Sequence, residues 1–197
     1  MRILLDVDEV MLDALKHMLR TLNVDPVDID WDGWDVYSVL GEMGYHPLFM
    51  AHSIPWWRSV PEVPGAFKSV QSLTMLRDVE VIYVTSIFPA RGWFTERVRR
   101  LTMEFGASER NIVFTGDKSL VEGDIFVDDK AEALHAWKKA HPHGRPLLFD
   151  ALNNQPENDL EAVKGLHRVM GWEELLEKLL AWHKIGFKTW YPEEAAR

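Results

Sequence analysis

An apolar run that begins Arg2-Ile-Leu-Leu ends in two carboxylates one residue apart, Asp6 and Asp8. In an extended strand alternate side chains share a face, so both acids leave a sheet on the same side, at its C-terminal edge. Open α/β sheets bind their ligands at that edge. Two carboxylates so close repel, and a divalent cation, a shared proton or both relieve the repulsion. The pair therefore asks for Mg²⁺. Asp-x-Asp also arises wherever a strand runs into an acidic turn, so the weight falls on what the rest of the chain brings to the same edge.

Stepping along the chain, Met11 to Leu22 carries apolar residues at helical spacing and ends near Asn23 and Pro26. From Val24 to Pro64 strand character disappears and Trp, Tyr, Phe, Met and His accumulate, with a helical stretch at Trp34 to Met43. This segment reads as an inserted cap. Phe67, Val70, Leu73 and Leu76 form a helical stripe leading into the strand Val79 to Val84, which ends at Thr85-Ser86. A helix from Trp93 to Glu104 follows, then a short strand Ile112 to Phe114, a loop carrying Lys118, and the strand Asp124 to Val127 ending at Asp128-Asp129. A further helix leads to Pro146-Leu-Leu-Phe149, then come a polar loop at Asn153 to Asp159 and a helix Trp172 to His183. Alternating strands and helices imply a parallel α/β sheet with helices on both faces.

Three strands thus deliver polar groups to one edge: Asp6/Asp8, Thr85/Ser86 and Asp128/Asp129, with Lys118 in the loop before the third. Phosphoryl transfer needs an in-line nucleophile, a cation for the phosphoryl oxygens, hydroxyl and amide donors, and a lysine to balance developing charge. A carboxylate nucleophile gives an aspartyl-phosphate that water resolves, while a second carboxylate protonates the leaving oxygen and later deprotonates the water. Asp6 and Asp8 suit those roles. Lys118 in an Asp-Lys-Ser turn would otherwise be a solvated lysine, and Asp128-Asp129 also fits an acidic pair at a helix N-terminus, where the dipole favours it.

These motifs resemble those of the haloacid dehalogenase superfamily: Asp6-Val-Asp8-Glu-Val10, Thr85, Lys118 and Gly123-Asp-Ile-Phe-Val-Asp128-Asp129. More narrowly the chain looks like the 5'(3')-deoxyribonucleotidases, through Pro64-Gly-Ala66, Val84-Thr-Ser86, Asp117-Lys-Ser-Leu-Val121 and Val127-Asp-Asp-Lys130. The resemblance implies a Rossmannoid parallel sheet flanked by helices, with a core formed by residues 1–16 and 65–197 and a small helical cap, residues 17–64, inserted after the first strand. It implies Asp6 as nucleophile and Mg²⁺ ligand. Asp8 would be the general acid/base and also a ligand, through its main-chain carbonyl. Asp129 would be a further ligand with Asp128 behind it, and Thr85, Ser86 and Lys118 would hold phosphate. Three positions depart from the family pattern. Glu9 stands where glycine is usual and is expected to point away, Ala14 takes the place of an aromatic residue, and Ile87 replaces a common proline.

Of nine tryptophans, Trp31, Trp34, Trp56 and Trp57 fall in the cap segment. The resemblance favours Trp34 and the Trp56-Trp57 pair as the lining on which a base stacks; equally, so short a subdomain needs large apolar anchors of its own. Arg58, Arg97, Arg99 and Arg100 read as solvated surface groups, and His141-Pro-His143 lacks a third metal ligand nearby. The 197 residues, 47% apolar, fit one compact domain with an inserted subdomain. A formal charge of -9 argues against nucleic-acid backbones or anionic membranes as partners, while a local site still holds one phosphate. With no cysteine, disulfides and thiolate metal sites are excluded. The early apolar run is interrupted by Asp6 and Asp8, which leads to the expectation of a cytoplasmic protein. The expected activity is Mg²⁺-dependent release of phosphate from a deoxyribonucleoside monophosphate. The alternatives are another ester, such as a sugar phosphate or a nucleic-acid 3' end, and a nucleotide-binding protein without turnover.

Overall fold

The computed structural model describes residues 1–29, 54–88, 92–155 and 163–185. Six strands form one parallel sheet: β1 (Arg2–Leu5), β2 (Glu80–Thr85), β3 (Ile112–Phe114), β4 (Ile125–Asp128), β5 (Arg145–Phe149) and β6 (His167–Val169), in the order β3-β2-β1-β4-β5-β6. The order reverses direction beside β1, between β1 and β4, which is where a doubly wound sheet opens a ligand crevice. Ile3, Leu4 and Leu5 are wholly buried, as an inner strand covered on both faces requires.

Alternation along β1 divides the core. Ile3 and Leu5 face a cluster with Tyr83, Val127 and Phe149, covered by α3 (Ala66–Thr74) through Val70 and Leu73, and by α6 (Trp172–Ile185) through Leu175 and Leu179. Leu4 faces the other side, with Ile82, Val84, Phe126 and Leu148 under Leu134 and Trp137 of α5 (Ala131–Ala140). Gly123 belongs to that side by necessity, since a Cβ there would lie 2.7 Å from Leu4 Cγ. A third cluster gathers Leu15, Met18 and Leu19 of α1 (Ala14–Leu22) with Val24 and Ile29; Trp56 of α2 (Ile54–Ser59) packs against it.

Two of the chemistry-bearing strands, β2 and β4, run one residue further than the apolar pattern predicts. Thr85 still pairs with Phe114 and Asp128 with Leu148, so both are strand residues and not the first residues beyond a strand. Helix α1 begins at Ala14, later than the expected Met11, because Glu9 takes a positive φ of 65° and the Met11 and Leu12 amides both turn back to the Val7 carbonyl, each at 2.9 Å. Helix α4 spans Trp93–Arg99 and continues as a wider π turn, Arg100–Glu104. The edge strand β6 has no counterpart in the sequence reading. Trp34 and half of the expected cap, residues 30–53, lie outside the described residues.

Candidate active site

The nucleophile candidate sits directly after β1. The Asp6 amide donates to Val127 O at 2.9 Å, which locks residue 6 to the end of β4, and only 4% of the residue is exposed. Beside it, the Lys118 ammonium lies 2.7 Å from Asp6 Oδ1 and 2.7 Å from Asp128 Oδ2. Lys118 opens a single 3₁₀ turn, and Asp117 caps that turn by accepting the Ser119 amide at 3.0 Å. Burial pulls the Lys118 pKa down, but the Asp128 and Asp6 charges outweigh it and hold the amine protonated, above its ordinary value. Asp128 Oδ1 also accepts the Lys130 amide at 2.8 Å, so both of its oxygens are engaged.

Asp129 follows, 2% exposed, with Oδ2 accepting a hydrogen bond from Asn153 Nδ2 at 2.8 Å. Asn154 Nδ2 binds the Asp129 carbonyl at 2.8 Å and the Phe149 carbonyl at 2.7 Å, tying the end of β5 to the end of β4. The sequence offered Asn153 and Asn154 only as loop residues. Two amide side chains just after an apolar strand, at the edge where the acids gather, were the available signal.

Carboxylate oxygens of Asp6, Asp128 and Asp129 lie within 4.8 Å of one another, and all three residues are buried. Burial, then the neighbouring carboxylates, drives Asp6 well above the ordinary range against the pull of Lys118, and the same causes push Asp129 up to about 6. Lys118 balances one of three negative charges, so the cluster still calls for positive charge. Lys118 engages one oxygen of Asp6 and Asn153 one oxygen of Asp129, while Lys118 and Lys130 together engage both oxygens of Asp128. Hard oxygen donors so gathered suit a divalent cation.

A cavity opens over this edge. Its polar side presents Asp6, Asp8, Thr85, Ser86, Lys118 and Asp129, with Glu9, Lys130 and Asn153 beside them. The sheet therefore brings together every residue expected to act on phosphate. Thr85 is buried at the end of β2, and Ser86 is exposed. The apolar side is Trp57, Phe88 and Trp93 with Ala14, Leu15 and Ile87, so the wall that an aromatic residue at position 14 would give comes from α2, α4 and the β2 loop. Trp57 and Phe88 meet edge to face at 5.6 Å. Trp56 does not line the cavity. It packs behind Trp57 at 4.6 Å and donates from its indole to Thr21 Oγ1 at 3.0 Å, anchoring α2 on α1.

Two sequence expectations are corrected. Glu9 lines the cavity and does not turn outward; its Oε1 accepts the Leu15 amide at 2.7 Å and so caps α1, and burial followed by the Asp129 charge raises its pKa well above the usual range. Its positive φ explains why glycine suits this position. Arg97 and Arg100 are not a solvated face: they are 0% and 6% exposed. Arg97 binds both oxygens of Asp8, whose carboxylate stands apart from the three-acid cluster. Trp93, Arg97 and Leu101, all wholly buried, recur every four residues on one helix face, and that spacing was the signal for an inward arginine. Arg58 does reach solvent, with its side chain 57% exposed, and it pairs with Glu96 at 2.8 Å.

The profile of the family "5' nucleotidase, deoxy (Pyrimidine), cytosolic type C protein" matches residues 1–184. The 5'(3')-deoxyribonucleotidase of Bacillus subtilis is 28% identical over 185 residues, covering 90% of this chain and 98% of the relative. Among solved structures, a haloacid dehalogenase-like hydrolase of Burkholderia xenovorans superposes with a TM-score of 0.56 at 16% identity, covering 92% of this chain and 97% of the other. The HAD-hydrolase YfnB of Bacillus subtilis, bound to magnesium, gives 0.56 at 15% identity over 91% of this chain and 98% of the other. The two structures establish the haloacid dehalogenase-like fold. Among the described residues, no helix is long and apolar enough to cross a membrane.

Proposed function

The chain belongs to the cytosolic type C 5' (deoxy)nucleotidase family, and from that membership we propose that it hydrolyses deoxyribonucleoside monophosphates in the cytoplasm, with residues 17–64 forming a cap over the site. The observation that carries this reading is the convergence of Asp6, Thr85, Lys118 and Asp129 on one cavity whose other wall is aromatic. The phosphate lies against Asp6, with Thr85, Ser86 and Lys118 donating to its oxygens. The base packs on Trp57 and its aromatic neighbours, a contact worth about 1–3 kcal/mol.

An Asp6 oxygen attacks phosphorus in line, and the P–O bond to the sugar breaks as the new O–P bond forms. Asp8 gives its proton to the departing sugar oxygen, leaving a neutral nucleoside and an aspartyl-phosphate on Asp6. A water then attacks phosphorus while Asp8 takes its proton; the Asp6–phosphate bond breaks, and inorganic phosphate, the Asp6 carboxylate and protonated Asp8 result. Lys118, 2.7 Å from Asp6, meets the charge that gathers on the phosphoryl oxygens. Asp6, Asp129 and the Asp8 carbonyl are the groups that would hold Mg²⁺, which when bound adds positive charge against the same oxygens.

The test is phosphate release from deoxy- and ribonucleoside monophosphates and from sugar phosphates, with Mg²⁺ or EDTA, using the wild type and Asp6→Asn. Selective turnover of deoxynucleotides, abolished by EDTA and by the substitution, is expected. Turnover confined to sugar phosphates would keep the chemistry and discard the substrate; nucleotide binding without phosphate release would discard both.

A further inference from the structure

Arg97 is wholly buried on the inward face of α4, and a guanidinium is costly to desolvate unless its charge is used. It is used on one residue. Nε donates to Asp8 Oδ2 at 3.3 Å and Nη2 donates to Oδ1, a two-pronged grip on the carboxylate. The guanidinium carbon lies 4.9 Å from the centre of the Trp57 ring and 5.7 Å from that of Trp93, so two indoles that wall the cavity also seat the cation. Nη1 has no hydrogen-bond partner among the described residues, so the site holds this arginine for its grip on Asp8 and not for full satisfaction of its own donors.

We infer that Arg97 is a positioning residue for the phosphatase reaction: it fixes the Asp8 carboxylate at the angle from which the leaving oxygen is protonated. The inference rests on the assignment of Asp8 as acid/base. Asp8 needs such a hold, because it lies beyond the end of β1, in the loop that Glu9 turns, with its side chain 29% exposed. The hold is itself anchored. Glu96 grips Arg58 of α2 at 2.8 Å and Arg99 at 2.8 Å, and Arg100 donates to the Arg58 carbonyl at 3.2 Å and the Val60 carbonyl at 2.5 Å. Helices α2 and α4 are thereby joined, and the group that protonates the leaving oxygen is held in register with the wall that seats the substrate. The same helix presents Trp93 to the substrate cavity and, one turn on, Arg97 to the acid.

The experiment compares kcat/KM on a deoxyribonucleoside monophosphate and on p-nitrophenyl phosphate for the wild type, Arg97→Met and Arg97→Lys in Mg²⁺. kcat/KM reports steps up to departure of the leaving group, and p-nitrophenolate departs without a proton whereas a sugar alkoxide does not. The nucleotide value is expected to fall about 100-fold in both variants, the scale of general acid catalysis, while the aryl phosphate falls by less than about 10-fold. Lysine keeps the charge but cannot grip both oxygens, so its loss has to match the loss in Met if geometry is what matters. Equal losses on the two substrates, no loss, or a gain would each overturn the assignment. Should Arg97→Met fail to fold, Arg97→Lys carries the same comparison. A wild type that releases phosphate from neither compound overturns the phosphatase reading, and this assignment with it.

Discussion

Replacing Asp129 with asparagine should make the metal-free protein more stable, not less. Asp129 is buried beside Asp128, and its pKa is pushed up to about 6 from an ordinary carboxylate value near 4. The folded state therefore holds this proton more tightly than the unfolded chain does. The stability this contributes is full below pH ~4 and is lost as pH rises to ~6, about 3 kcal/mol in all. Asparagine has nearly the same shape, buries no charge, and its Oδ1 still accepts from Asn153 Nδ2, the bond now 2.8 Å long. Its amide still has to be desolvated, so the expected gain is about 1–3 kcal/mol at pH 8 in EDTA, shrinking to nothing near pH 4. Urea denaturation of the wild type and Asp129→Asn, in EDTA from pH 4 to 8, measures it. Saturating Mg²⁺ at about 100 times its Kd should then add about 2.7 kcal/mol to the wild type and much less to the variant. A variant less stable than the wild type at pH 8 in EDTA, or a gain that does not change with pH, would refute the charge-crowding account of the site.

Two more outcomes follow from the same geometry. Lys118→Met removes the ammonium that sits 2.7 Å from both Asp6 and Asp128, and leaves those carboxylates buried; it should cost about 3–5 kcal/mol in EDTA by urea denaturation and abolish turnover. Glu9→Ala loses the cap on Leu15 while keeping a side chain at φ 65°, for a loss of about 1–2 kcal/mol; Glu9→Gly, freed of the positive-φ strain, should lose about 1 kcal/mol less in the same assay.

The parallel sheet, most helix positions and the gathering of polar residues at one edge were legible because a parallel sheet writes its buried strands as apolar runs and releases polar groups at one edge. Thr85, Lys118 and Asp128 each stood at a break in such a run. What escaped was information held between elements. His167-Arg-Val has no apolar signature, since an edge strand is recruited by the unpaired side of β5 and not by its own pattern. Asn153 matters only through Asp129, a residue on another strand. Arg97 reads as solvated when grouped with Arg99 and Arg100, its neighbours in sequence, and as buried when grouped with Trp93 and Leu101, its neighbours on the helix face. The paired indoles divided in a way that sequence could not show, Trp57 toward the cavity and Trp56 into the packing of α1.

The bond from the Trp172 indole to the Val10 carbonyl, 2.7 Å long, joins residues 162 positions apart and rests α6 on the loop that carries Asp8 and Glu9. Seen along the time axis of synthesis, the strand that leads into Asp6 is made before every element that encloses it. Both of its hydrogen-bonding edges wait for β2 and β4, and the loop beyond it waits for α6. Contacts this distant in sequence form only when the chain condenses as a whole. Recovery of catalysis after denaturation should therefore keep pace with formation of the entire sheet, and a proteolytic nick that releases α6 should silence the enzyme while leaving each catalytic side chain chemically intact.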